Sequence, residues 1–264
     1  MSSATASAVS PATTIFSGNL DTKESVEAFV NQIKYIIPFA ETTGIKLEVN
    51  ETDKVINSYL MNKNLGVVVY TTSKTIYDKF ELPSGLQIGL LKLSDFTSMF
   101  NIFGSKGIAL KFIDNEFKIS DMTDEESVLS FKTADCALLS DSNKSFKGSN
   151  FFTDITIDDR FEALSRAMAT LSNEDIVVIS GSASKNKVTF KIVNGNMSVN
   201  NFKVTMDAKV SSDFEVPHRK DVFQNLIKIP IASKVLSIAE RVIKVEATSP
   251  TLDMTVYLAK KANK

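Results

Sequence analysis

Four apolar residues of one stretch, Val26, Phe29, Ile33 and Ile36, return 135 residues later as Phe161, Leu164, Met168 and Leu171. Their spacing is that of one face of an α-helix. A second stretch, 91–102, returns at an offset of 136 as 227–238, with most of its apolar pattern and one lysine, Lys92 to Lys228, kept. Any two amphipathic helices share a period, so apolar spacing alone carries little. What carries the repeat is order: strand, strand, helix and hairpin recur at nearly one offset around two separate helices. A chain built this way folds as two copies of one unit. At 264 residues, each half is long enough to bury its own core.

Four short helices are expected. The first opens with Asp21 and Glu24, carries Val26, Phe29, Val30, Ile33, Ile36 and Ile37 on one stripe, and stops at Pro38. The second runs over about 94–103 with Phe96, Met99, Phe100 and Phe103 on its core side and Gly104 as C-cap. The third starts near Asp158 and buries Phe161, Leu164, Met168 and Leu171. The fourth starts at Pro230 and carries Ile231, Val235 and Ile238.

Strand-like stretches lie between them, at 45–49, 66–71, 86–91, 108–113, 128–132, 176–179, 187–193, 202–210, 225–229, 243–247 and 253–258. Many alternate apolar and polar residues, as Val188-Thr189-Phe190-Lys191-Ile192 does, which marks antiparallel sheet with one wet face. Asp114-Asn115-Glu116 and Asn194-Gly195 are hairpin-turn chemistry. The expected organisation is a flexible Ser/Ala/Thr-rich tail over 1–17, a first unit over 18–139, a polar connector over 140–150 and a second unit over 151–264. The fold class is α+β, each unit having two short helices on antiparallel sheet.

Several kinds of chemistry lack their residues. With one His and one Cys, a zinc site of three or four such ligands has no basis. His218, in a charged Pro-His-Arg-Lys stretch without a nucleophile motif, reads as a solvated loop histidine. Cys136, flanked at alternate positions by Ala134 and Leu138, reads as a small buried hydrophobe in a reducing compartment. Ten glycines form neither G-x-G-x-x-G nor G-x-x-x-x-G-K-[ST], so no nucleotide cradle is expected. The pairs Asp158/Asp159 and Glu125/Glu126 sit where helix starts and turns put acids. No apolar run reaches the ~18–20 residues of a membrane helix. The expectation is a soluble non-enzyme without cofactor or metal.

Two tandem units of this build resemble the sliding clamps of DNA replication. The ending Tyr257-Leu258-Ala259-Lys260-Lys261 is similar to the Tyr-Leu-Ala-Pro-Lys ending of the proliferating cell nuclear antigen family, with Lys260 in place of proline. Residues 86–121, a strand, a short helix and a hairpin, look more like the clamps of tailed phages. The resemblance covers about 22–259 and is architectural. It implies a homotrimeric ring of six domains around duplex DNA, sheets outside and helices lining the hole, that tethers a DNA polymerase as its processivity factor. It also implies a clamp loader as partner and a place inside the cell, where DNA is replicated (the host cytoplasm for a phage protein).

A closed ring needs no base-reading residues, only a weakly attractive wall for phosphates. That agrees with a net charge of −1 and a pI near 6.0, which would suit an open DNA-binding surface poorly. Helical projection puts Arg166 opposite the third helix's apolar stripe, with Arg160 on its flank, and Lys34 and Lys234 flanking the first and fourth; these four are the DNA-facing candidates. They also read as solvated helix faces. Glu24 and Glu27 on the first helix depart from a basic lining. For partners, the resemblance implies a pocket made by Leu138 and Leu139 at the connector and by Tyr257, Leu258 and Ala259 at the chain end. Leu138 and Leu139 read equally as core residues ending a strand.

Two other functions fit the same sequence: a structural or assembly β-repeat protein that never touches DNA, and a clamp-fold accessory that binds DNA as a monomer. Mass in solution and salt-sensitive DNA binding separate the three.

Overall fold

The computed structural model describes residues 14–81, 83, 85–103, 107–139, 150–170, 176–193 and 202–261. The first half runs β1 (Thr14–Leu20), α1 (Lys23–Lys34), α2 (Ile37–Ala40), β2 (Ile45–Asn50), β3 (Val55–Asn62), β4 (Val67–Ser73), β5 (Phe80–Glu81), β6 (Gln87–Leu90), α3 (Leu93–Met99), β7 (Ile108–Ile113), β8 (Glu116–Asp121) and β9 (Asp124–Lys132). The second runs β10 (Phe151–Thr156), α4 (Arg160–Thr170), β11 (Ile176–Ser182), β12 (Lys187–Val193), β13 (Phe202–Asp207), β14 (Phe214–Arg219), α5 (Lys220–Ile227), β15 (Ser233–Ala239), β16 (Val242–Thr248) and β17 (Leu252–Ala259).

All strand pairs are antiparallel, and they form three sheets ordered β5-β1-β7-β8-β9, β10-β15-β16-β17-β4-β3-β2-β6 and β13-β12-β11-β14. The repeat is explicit in these orders. β1-β7-β8-β9 in the first half has the same connectivity as β10-β15-β16-β17 in the second, and β4-β3-β2-β6 the same as β13-β12-β11-β14. The eight-stranded sheet joins the halves, because β17 pairs with β4 from Leu252↔Ser73 to Leu258↔Val67. Among the described residues six strands end these sheets, β5, β9, β10, β6, β13 and β14; of these, β9 and β13 hold the positions that β17 and β4 hold in the repeat.

Period-2 patterns decide which side of this sheet packs. Along β17, Leu252, Met254, Val256 and Leu258 are buried on the side where α1 and α5 pack, while Asp253, Thr255, Tyr257 and Ala259 are half-exposed on the other. Rings bind the first-half helices to the sheets: Phe96 of α3 lies within 4.9–6.4 Å of Phe29, Phe100, Phe117 and Phe131. Each buried Phe contributes roughly 2–3 kcal/mol. Polar pins fix the helices further, with Gln32 Nε2 donating to the Ile56 carbonyl (2.7 Å) and Lys220 Nζ to the Met168 carbonyl at the end of α4 (2.8 Å).

Local chemistry moves several expected features. β1 begins at Thr14, so the tail ends before residue 17; Phe16 takes the edge of Phe80 and stacks on Phe112. The capping box of α1 uses Thr22 and Ser25 instead of Asp21 and Glu24, since the hydroxyls reach the backbone N–H groups at 3.1 Å while Asp21 bonds Lys79 at 2.8 Å. Pro38 opens the short α2. Asp114 and Asn115 both have positive φ (49° and 63°), as the β7–β8 turn requires. Gly104, Leu171 and Asn194-Gly195 lie outside the described residues.

The largest correction concerns the fourth helix. It is α5, over Lys220–Ile227, and the stretch expected to be helical from Pro230 is strand β15, preceded by Ile231. Val222, Phe223, Leu226 and Ile227 make the buried stripe, and Pro230 follows the helix end, where a residue that cannot extend a helix is common. His218 is likewise fully buried, not a solvated loop residue. Val216, His218 and Lys220 alternate inward as β14 enters α5. Cys136 is half-buried in a 3₁₀ turn, so it is not a core strand residue.

Candidate nucleic-acid and partner surfaces

The helices expose a face of mixed charge. On α1, Lys23 lies 3.6 Å from Glu27, with Glu24 exposed beside them and Lys34 at the last turn. On α4, Arg160 Nε donates to both oxygens of Asp158 (2.8 and 3.0 Å), which holds that carboxyl below the usual carboxylate range. The Arg166 guanidinium, 74% exposed, lies 3.7 Å from Glu162 one turn away. Such exposed pairs contribute little to stability and remain free to exchange an acid for another anion. Among the described residues, exposed Lys34, Lys92 and Lys228 have no acidic partner.

Lys92 and Lys228 stand at the N-terminal cap of α3 and the C-terminal cap of α5. Helical projection passed over both, although Lys92 recurring as Lys228 marked them in the sequence. Their matching positions do not make them structural counterparts, because they sit at opposite helix ends.

Lys234 departs from its expected role. It lies on β15, half-buried, and its ammonium donates to the Ile227 (2.9 Å) and Ile229 (2.8 Å) carbonyls, closing the end of α5. Burial pushes its pKa down. This lysine is occupied within the chain.

The candidate partner residues fall in two places. Leu138 is 82% exposed after the β9 end, whereas Leu139 is half-buried over two glycines. A Cβ at Gly89 would come within 2.5 Å of the Ala134 carbonyl oxygen and 2.9 Å of Leu139, and one at Gly44 within 2.9 Å of Leu139. The bare backbones of Gly44 and Gly89 therefore seat the start of the connector against β6, a long-range role that local sequence does not signal. Residues 140–149 lie outside the described residues.

Tyr257 lies elsewhere on the sheet. It stands edge-on to Tyr70 (6.3 Å), which packs on Tyr59 (5.1 Å), so an aromatic row crosses the joint between the halves on the face away from the helices. Burial and the two neighbouring phenols push the Tyr70 hydroxyl up to about 12. Leu258 is 1% exposed on the opposite, packed face, and Ala259 is half-exposed. β17 and β6 are separated by β4, β3 and β2, so the described residues do not bring Leu138 and Leu139 together with Tyr257.

Two units with the same strand order, joined by a continuous sheet and carrying paired helices, have close structural counterparts. A proliferating cell nuclear antigen from Entamoeba histolytica superposes with a TM-score of 0.72 over 95% of this chain and 100% of its own, at 14% identity. The fold is that of proliferating cell nuclear antigen. A PCNA2–PCNA3 complex from Sulfolobus tokodaii matches with a TM-score of 0.68 over 94% of this chain and 100% of that one, at 12% identity. A. fulgidus PCNA bound to the C-terminal region of FEN-1 gives 0.66 over 94% and 99%, also at 12%. No family profile matches the sequence, and no curated protein does either. Among the described residues no group of His, Cys, Asp and Glu is placed to hold a metal, and no helix is long and apolar enough to cross a membrane.

Proposed function

We propose that this chain is a sliding clamp: a homotrimeric ring that encircles duplex DNA without reading its sequence and tethers a DNA polymerase, with a clamp loader to open it. The observation that carries the reading is the pair of free sheet edges. Within the chain β17 already pairs with β4, and their counterparts in the repeat, β9 and β13, are both edge strands with one side unpaired among the described residues. Joining β9 of one copy to β13 of the next repeats between copies a joint that the chain makes internally. Such head-to-tail joints close into a ring when the rotation allows. Three copies then give six domains. The Sulfolobus complex supports assembly between chains of this fold, and the FEN-1 complex supports a peptide-binding surface.

In this reading residues 18–139 and 151–264 are the two clamp units and 140–150 the connector. Arg160, Arg166 and Lys34, joined by Lys92 and Lys228, face phosphate, and their sparse charge lets the ring slide because retention comes from topology. Leu138, Tyr257 and Ala259 form the partner surface, with Leu139 and Leu258 as its support. The chain acts inside the cell as a scaffold and catalyses nothing. Light scattering tests the ring: a mass three times the 29.0 kDa chain is expected at micromolar concentration. A monomer at every concentration overturns it.

A further inference from the structure

Two equivalent backbone contacts set the repeat to the residue. Just past β9 the Ala134 N–H donates to the Gly89 carbonyl (2.8 Å), and just past β17 the Lys261 N–H donates to the Pro217 carbonyl (2.9 Å). Ala134 thus corresponds to Lys261, which puts Leu129 of β9 in the place of Val256 of β17. Gly89 corresponds to Pro217. Followed through the ladders β6-β2-β3-β4 and β14-β11-β12-β13, that equivalence puts Phe202 of β13 in the place of Val69 of β4, and Val204 in that of Thr71.

Inside the chain Val69 and Val256 stand directly opposite each other, both buried on the packed side of the sheet. The Ala259 N–H donates to the Gly66 carbonyl and the Lys74 N–H to the Thr251 carbonyl, so hydrogen-bonded pairs alternate with Val69–Val256, a non-bonded pair, where side chains lie closest. In the same register between copies, Leu129 faces Phe202. Each is half-buried on an edge strand and packs against the core of its own copy. Beside Leu129, a groove of about 780 Å³ between α3 and the end of β9 is lined by Leu91, Met99 and Phe131 among others. At α5, which follows β14 as α3 follows β6, the helix layer of the first half closes in, with Asn225 Nδ2 donating to the Pro38 carbonyl at 3.2 Å.

Charge does not hold these edges together. On the solvent face the same register sets Glu126 against Thr205, Val128 against Lys203 and Asp124 against Asp207, a like-charge pair that opposes association. Attraction is left to the backbone ladder and to the packed side.

Resting on the ring reading, we infer that copies join through an apolar seam in which Leu129 of one copy packs on Phe202 of the next, continued into the helix layer by the groove at Leu91, Met99 and Phe131. The seam fixes the register, because a slip by one residue turns the apolar residues of one strand to the solvent face. It also sets the response to salt: ions relieve Asp124 and Asp207 and leave the seam intact, so salt does not loosen the ring.

Cross-linking tests the seam on the full chain in a Cys136→Ala background, with folding read by circular dichroism and mass by light scattering. Leu129→Cys with Phe202→Cys places two Cα atoms about 4.5 Å apart, a separation a disulfide spans. Oxidation at high protein concentration is expected to give covalent trimers on a non-reducing gel. Leu129→Cys with Thr205→Cys, whose side chains leave the sheet on opposite faces, is expected to give none. Phe202→Asp is expected to be a folded monomer, and the parent's subunit dissociation constant to rise no more than about twofold between about 0.05 M and about 1 M salt. A trimeric parent whose 129–202 pair does not cross-link, or whose 129–205 pair cross-links equally, overturns the seam and leaves the ring standing. A trimeric Phe202→Asp variant, or a tenfold loosening by salt, does the same. A parent chain that is monomeric at every concentration overturns the ring and the seam together.

Discussion

The joint inside the chain and the two free edges are built on one plan and filled differently. Between β17 and β4, buried Val67, Val69, Met254, Val256 and Leu258 lie on one side and the tyrosine row on the other. At β9 and β13 the matching positions carry lysines, acids and half-exposed Leu129, Phe202 and Val204. In the proposed ring the two joints need different chemistry: the first folds with the chain, while the second must leave each copy folded alone and still find its partner. Exposed charge on an edge strand also discourages unselective pairing.

The sharpest way to break the comparison is to insert the same charge in both places. Val69→Asp buries an unpaired carboxylate in the internal joint and is expected to cost about 4 kcal/mol or more, leaving little folded protein by thermal melting. Leu129→Asp at the free edge is expected to leave each copy folded and to abolish association by light scattering. Equal loss of folding in both variants would show that the two places are not different in kind.

A smaller effect comes from acid. His218 donates from Nδ1 to the Ala259 carbonyl at 3.3 Å, its Nε2 has no partner among the described residues, and burial pushes its pKa down from 6.5 to about 4. The folded state therefore favours neutral histidine: its contribution is complete above the unfolded value near 6.5 and is lost as pH falls toward 4. That loss amounts to about 3 kcal/mol at the acid end. Denaturant melts of the parent and His218→Gln should converge between these pH values. Parallel pH profiles would remove His218 from the internal joint's chemistry.

Smaller still are changes to single helix-layer cations. Lys234→Met removes the closure of α5 and is expected to lower stability by about 1 kcal/mol without changing DNA retention. Arg166→Glu is expected to do the reverse, sparing the melt and weakening retention on DNA at near-physiological salt, an effect multiplied by three copies per ring. Tyr257→Ala, half-buried beside Tyr70, is expected to weaken polymerase stimulation several-fold and to cost about 1–2 kcal/mol of stability.

Much of the fold was legible because strands write their burial at period 2. β7 and β12 have the expected bounds, and β2, β4, β6, β11, β16 and β17 lie within a residue or a few of theirs. The two long helices were legible from apolar stripes. The fourth was not, because α5 has eight residues and no side-chain cap, whereas Ile231, Val235 and Ile238 happen to match helical spacing on a strand. That error carried Lys234 to the wrong surface. Arg160 and Arg166 were readable from one helix, while the seats at Gly44 and Gly89 and the burial of His218 depend on strands distant in sequence.

The claim that topology holds this protein on DNA can be measured without a loader. Protein mixed with linear duplex threads onto its ends, and ligating those ends into a circle traps any closed ring. After gel filtration at moderate salt, protein is expected to remain with the ligated circle and to leave when a single double-strand cut reopens it. Equal retention on the circle and on the cut DNA would contradict a ring that encircles duplex DNA.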